Sequence, residues 1–469
     1  MAPGAMGTGQ RGCLDRPSAI HLRRHVRCPR VIRFTAKTRR RKESRRRFCS
    51  GFFCDSLCLR VFVVKTEANL RMALEDSANL VEYFRSQLEP SLALLKKLVE
   101  LESYSFDKPG VDGLTGFLAD EFSVRGASVE VMEHPVRGNA LKATWNDASA
   151  EPPVLVLGHL DTVWPPGTLR SRPFKVEEGK AYGPGVFDMK SGILICLLAC
   201  QAFQERRIDP GKGVIFLFTA DEEIGTETGL SRLKLVATSC RAVLCLEPPL
   251  PGGKVKTFRK GVGEFRIRVT GVAAHAGADH EKGANAILEL SKLVLQLQAL
   301  TDYQRGVTVN VGKIRGGSAV NVVPADAEAE VDFRVSTVSD GDRLEQRVRG
   351  LRASDPRCAV LVEGGLRRPP LERTPAVVEL YQKARGVAFS LGLDLGEGGT
   401  GGASDGSFTA AWGIPTLDGL GVEGDGAHAL HEHILVDDIP RRAALLARLT
   451  QTLPPIQTVT LADARKGTT

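Results

Sequence analysis

The chain has 469 residues, 42% of them hydrophobic and 25% charged, which is the composition of an ordinary globular protein with room for two cores. Its formal charge of +8 does not describe a nucleic-acid-binding body: residues 1–66 hold 17 Lys and Arg against Asp15, Glu43 and Asp55, a surplus of +14, leaving −6 for the remainder. No uninterrupted apolar run in the sequence is long enough to span a bilayer, so neither a membrane nor a nucleic acid is expected as a partner of the body.

Residues 1–71 read as a basic extension. The run RRRKESRRR suits anionic partners. FCSGFFCDSLCLRVFVV is signal-like, yet Asp55 and Arg60 interrupt it and no small-residue cleavage site follows. The favoured reading is an extension outside the fold, disordered or preceding a translation start near Met72. Five of the ten cysteines lie in this tail without paired CxxC spacing, and the others sit mostly in apolar contexts, as reduced thiols do; a cytoplasmic protein is expected.

From Met72 to about Leu101 the pattern is helical, and short strands follow around 128–133 and 140–145. Three apolar runs come next, VLVLG (154–158), VIFLFTA (214–220) and AVLCLE (242–247). Turn residues bound each and helix-length segments separate them, the pattern of a parallel sheet. SGILICLLACQAF (191–203) is apolar nearly all round, which predicts a buried helix. Between 260 and 365 the order is β-α-β-β-α-β: EFRIRVTGV, GANAILELSKLVLQLQAL, VTVNVGKI, AEAEVDFRVS, a helix over 341–352 and CAVLVEG. That order predicts a ferredoxin-like unit. A helix over 376–391, a glycine-rich turn, IPTLDGLG and a helix over 438–452 close the pattern. The predicted fold is α/β with a mostly parallel central sheet, split into 72–258 and 370–457 by an inserted α+β unit at 259–369, and followed by a tail, 458–469.

Chemistry gathers where the apolar strands end. His159 and Asp161 follow the first run, Asp221, Glu222 and Glu223 the second, and Glu247 the third. Asp188 stands in GPGVFDMKSG at the start of the buried helix. Ligands bind at the carboxyl ends of strands in open parallel sheets. So many carboxylates at one edge, with few lysines near them in sequence, would repel one another unless divalent cations sat between them. The donor types suggest zinc with oxygen-rich coordination, one carboxylate bridging two metals. A second histidine is then needed, and His428, His431 and His433 in GAHALHEHI are the candidates that spacing leaves open.

GHLDTVWPPGTL, YGPGVFDMKSG, TADEEIGT, LCLEPP, GVAAHAG and GAHALHEHI, in this order, resemble the motifs of the co-catalytic di-zinc peptidases. That family includes aminoacylase, acetylornithine deacetylase and glutamate carboxypeptidase, and the resemblance, over about 75–455, is nearest to the last. It implies a three-layer zinc-peptidase-like domain with a lid or dimerisation domain inserted, and two Zn2+ per subunit, for which Co2+ or Mn2+ could substitute. His159 and Glu247 would bind one zinc, Glu223 and His428 the other, with Asp188 between them. Asp161 would orient His159, Glu222 would be the general base, and His275 would donate to the oxyanion. Asn321, Arg334 and the loop of Gly401 and Gly402 would hold the substrate carboxylate. The implied reaction is hydrolysis of an amide bond beside a free C-terminal carboxylate, by attack of a metal-bridging hydroxide on a small peptide or N-acyl amino acid. The alternative is an N-acyl amino-acid deacylase of the aminoacylase, acetylornithine deacetylase or desuccinylase type. A homodimer through the inserted domain is also implied.

Overall fold

The computed structural model describes residues 76–146, 148–149 and 151–453. The readings made for residues 1–71 and 458–469 lie outside the described residues.

The chain enters through helices over 76–86 and Leu88–Glu100, not through one helix. Pro90 explains the break: it has no N–H to give and its ring collides with the preceding turn, so it is tolerated only where a helix restarts. Leu80 and Phe84, then Leu95, Leu98 and Val99, bury one face of each. Sequence reading missed the next helix, Lys108–Val124, which carries Gly110, Gly113 and Gly116. Glycine lowers helix propensity, but Val111, Leu114, Leu118 and Phe122 keep the helical spacing and are fully buried.

The central sheet has six strands in the order 128–132, 140–145, 214–219, 154–159, 242–245, 416–417. The last four run parallel, while Ser128–Met132 and Ala140–Trp145 add an antiparallel edge. Side chains alternate across a strand, so both faces of this apolar sheet need cover. Val154, Val156, Phe216, Phe218 and Leu244 join the core with the entry helices, Ser191–Gln204 and Ile439–Thr452. Leu155, Leu157, Ile215, Leu217 and Val243 pack instead with Leu233 and Val236 of Leu230–Ala237 and Phe408 of Asp405–Ala411. Three layers result, and burying each such side chain contributes about 1.5–3 kcal/mol. Val186–Gln204 is long and apolar enough to cross a bilayer, but it is a core element, buried against the sheet.

The unit between Gly261 and Arg368 has the predicted β-α-β-β-α-β order. Its strands lie as 308–316, 326–335, 261–270, 359–368, antiparallel throughout, which is the ferredoxin-like arrangement. Helices Ala286–Gln298 and Val338–Arg349 cover one face and enclose a separate core that includes Ile267, Leu293, Phe333 and Val348. The second helix begins three residues before its predicted start, because the Thr337 side chain accepts from the Asp340 N–H and caps it. The opposite face is charged. The chain crosses between the three-layer body and the inserted unit twice, at 259–261 and 368–371, and the crossings are tied by paired Arg259–Leu371 backbone hydrogen bonds of 3.0 and 3.1 Å.

Candidate active site and metal centre

His159 is the last residue of its strand and is buried, and Glu247 lies two residues beyond Ala242–Cys245. Glu222 and Glu223 open the turn that follows Val214–Thr219. Asp188 reaches the same place from the turn ahead of the buried helix. His428 arrives from a loop with φ +62°, a left-handed conformation that non-glycine residues rarely adopt.

Asp188 stands between two sets of donors. Its Oδ1 is 3.1 Å from His159 Nε2, which is 3.6 Å from Glu247. Its Oδ2 is 3.4 Å from His428 Nε2, which is 3.1 Å from both oxygens of Glu223. The His159 Nδ1 lies 2.9 Å from the Asp161 carbonyl. A carbonyl only accepts, so Nδ1 carries a proton, and Nε2, which faces Asp188, is the nitrogen left for a metal to take in place of its own proton. The Asp161 carboxylate lies 3.5 Å from the same Nδ1, and it also accepts from Ser105 Oγ and from the N–H groups of Glu222 and Glu223, fixing the turn that carries both glutamates. His431 instead faces Asp425 at 3.8 Å and His433 packs against Tyr182 with the rings tilted, so of the three candidate histidines only His428 approaches Asp188.

A scan against known families matches residues 155–452 to peptidase family M20/M25/M40. The chain belongs to that family. It is therefore a hydrolase of amide bonds. It is 31% identical over 368 residues to carboxypeptidase G2 of Pseudomonas sp. (strain RS-16), covering 76% of this chain and 88% of the relative. It is 28% identical to the succinyl-diaminopimelate desuccinylase of Nitrosococcus oceani, covering 78% of this chain and 99% of that one. Among solved structures, the aminopeptidase PepT of Bacillus cereus superposes with a TM-score of 0.66 at 22% identity, covering 78% of this chain and 98% of that one.

The electrostatics fit a cation site. Burial pushes Glu247 up to about 7, with Asp188 adding and Arg259 opposing. Burial likewise pushes Glu223 up to about 7, against its bond to His428. The bonds to Asp188 and Glu223 lift His428 to about 10, with burial opposing. Burial works against the charge on Asp188, but His159 and His428 overcome it and hold the carboxyl below its usual range. Carboxylates crowded in this way take up protons when no cation is present. Binding a cation therefore expels them, and affinity rises with pH. The gap in urea midpoint between metal-loaded and chelator-treated protein should widen from about pH 5.5 to about pH 8.5. A constant or shrinking gap would contradict this account.

Glu222 is buried, and burial pushes it up to about 8, with Arg368 opposing. It lines a cavity of 770 Å³ together with Glu223, His428, Ile224, Phe408 and Arg334. Arg334 grips Asp332 with two nitrogens, at 3.1 and 2.9 Å, and points a third at the Gly401 carbonyl, 3.4 Å away. Gly401 and Gly402 are exposed, and a Cβ on either would meet nothing within 4 Å, so no packing demands glycine there. His275 and Asn321 are not among the cavity's lining residues. They sit together at an exposed end of the inserted unit, where the Ala276 N–H bonds the Asn321 carbonyl.

Three residues of the site escaped sequence reading. Arg259, buried, pairs with Glu247 at 3.2 Å and with Asp418 at 2.6 Å. Arg368 pairs with Glu222. Glu432 accepts from the backbone N–H groups of Gly185, Phe187 and Asp188 and from Trp164 Nε1. A charged residue beside a motif was the only signal.

Proposed function

We propose that this chain is a di-zinc carboxypeptidase of the glutamate-carboxypeptidase type, cleaving an amide bond next to a free carboxylate. The observation that carries the reading is Asp188, whose two oxygens face two separate histidine–glutamate sets. One imidazole and one glutamate on each side of a shared carboxylate suit zinc. Bound there, two zinc ions supply a water of lowered pKa and a Lewis acid for the scissile carbonyl. Glu222 takes the proton from the attacking water and passes it to the leaving nitrogen. Arg334 exchanges Asp332 for the substrate carboxylate, which its planar fork fits. Similarity to carboxypeptidase G2 supports this choice of substrate.

The test is a hydrolysis panel on zinc-loaded protein, setting acyl-glutamates and folate-like amides against dipeptides, acetylated amino acids and succinyl-diaminopimelate. Acyl-glutamates should lead in kcat/KM by about 10²-fold or more. Fastest turnover of the acetylated or succinylated substrates would replace this reading with the deacylase. For the metal, His428→Ala should remove about one zinc equivalent and His431→Ala none; the reverse would move the ligand three residues.

A homodimer through the inserted unit completes the site. Helix Ala286–Gln298 leaves Leu288 and Leu295 exposed, and the neighbouring strand 308–316, paired on one side only among the described residues, exposes Ile314. His275 Nδ1 accepts the N–H groups of Gly277 and Ala278, so its proton is on Nε2, which is free to donate to an oxyanion in the other copy's cleft. Leu295→Glu should give a monomer by sedimentation, with kcat down about 10²-fold. A monomer with full turnover would refute donation from the other copy.

A further inference from the structure

Arg368 is the last residue of its strand, at the point where the inserted unit returns to the central layers. The register against Gly261–Thr270 slips between Leu366 and Arg368. Such an irregularity re-aims the side chain that follows it, and here the guanidinium enters the floor of the cleft. One of its nitrogens bonds the Glu222 carboxylate, and the other bonds the Glu222 carbonyl and, at 3.2 Å, Thr226 Oγ1. That second nitrogen also lies 3.9 Å from Asp405, itself held by Thr219 and Thr226. Arg368 thus grips both the backbone and the side chain of Glu222, with the buried Asp405 carboxylate near its second nitrogen.

We infer that Arg368 is the positioning residue for Glu222, fixing its carboxylate in one orientation and tying it to the inserted unit. Only one carboxylate oxygen, Oε1, is engaged by the guanidinium, so Oε2 remains to accept the proton. The fork reaches the carboxylate and the backbone carbonyl of Glu222 at once, where lysine would supply a point charge. Since Arg368 lies in the second crossing, any rotation of the inserted unit about the Arg259–Leu371 pair carries the guanidinium with it. The base is then held in line only in one setting of the inserted unit against the three-layer body.

This inference rests on Glu222 being the general base, and the experiment separates the two claims. Arg368→Gln and Arg368→Lys are made in the full, zinc-loaded chain, alone and combined with Glu222→Gln, and kcat, KM and zinc content are measured. Arg368→Gln should lower kcat about 10–100-fold with KM within about threefold and zinc unchanged, and Arg368→Lys should recover part of the loss. In the Glu222→Gln background, Arg368→Gln should cost less than about twofold more, because the group it positions is already gone. A KM rise of about tenfold at unchanged kcat would overturn the inference, assigning Arg368 to substrate binding; losses that multiply in the double variant would overturn it too. Should Arg368→Gln fail to fold, Arg368→Lys decides by the same double-variant comparison. Full turnover by Glu222→Gln alone would sink the base assignment instead.

Discussion

Glu222→Gln is expected to lower kcat about 10²–10⁴-fold while the protein keeps its zinc. The amide has the shape of the carboxylate and can still accept from Arg368, but it cannot take up a proton. Geometry alone does not make Glu222 a bystander to metal: His159, Glu222 and Glu247 offer donor atoms within 4.8 Å of one another, as do His159, Asp188 and Glu223. What separates the two glutamates is their partners. Glu223 presents both oxygens to His428, whereas Glu222 has one oxygen on a guanidinium. Glu223, set with His428 beside Asp188, is placed as the ligand, and Glu222, held on Arg368 with one oxygen left over, as the base. Turnover at saturating substrate, set beside metal per subunit by plasma mass spectrometry, checks this. Zinc lost in parallel with activity would reassign Glu222 as a ligand.

The placement of His159, Glu222, Glu223 and Glu247 was legible because parallel strands buried on both faces announce themselves as apolar runs, and whatever follows such a run lies at one edge. The β-α-β-β-α-β order was legible for the same local reason. What could not be read is what depends on distant pairing. Arg368 meets Glu222 across 146 residues, Glu432 meets Asp188 across 244, and Arg259 meets Asp418 across 159. No periodicity encodes such pairs. His275 and Asn321 mark another limit: a motif can name residues that the fold then leaves outside the lining of the cavity that holds Glu222. Helix Lys108–Val124 shows glycines masking a sound apolar spacing, so there the period deserved more weight than the propensity.

Glu432→Ala should destabilise the protein by about 3–5 kcal/mol and abolish metal binding together with activity. The carboxylate is wholly buried, and each of its oxygens takes two donors. Oε1 accepts from Phe187 and Asp188 at 3.0 and 3.1 Å, and Oε2 from Gly185 at 2.9 Å and the Trp164 indole at 2.8 Å. Truncation leaves three backbone N–H groups and an indole N–H unpaired in the turn that presents Asp188, and that turn must move to find water. Glu432→Gln is the sharper probe, because the amide keeps one oxygen and turns an NH2 group towards a pair of donors. It should lose about half as much stability as alanine and still bind metal poorly, since Asp188 depends on the turn's position and not on the charge of Glu432. Urea unfolding beside zinc content measures both. A glutamine variant as stable and as fully loaded as the parent would mean that Asp188 is held by the buried helix alone, and that Glu432 is a passenger in the loop that delivers His428.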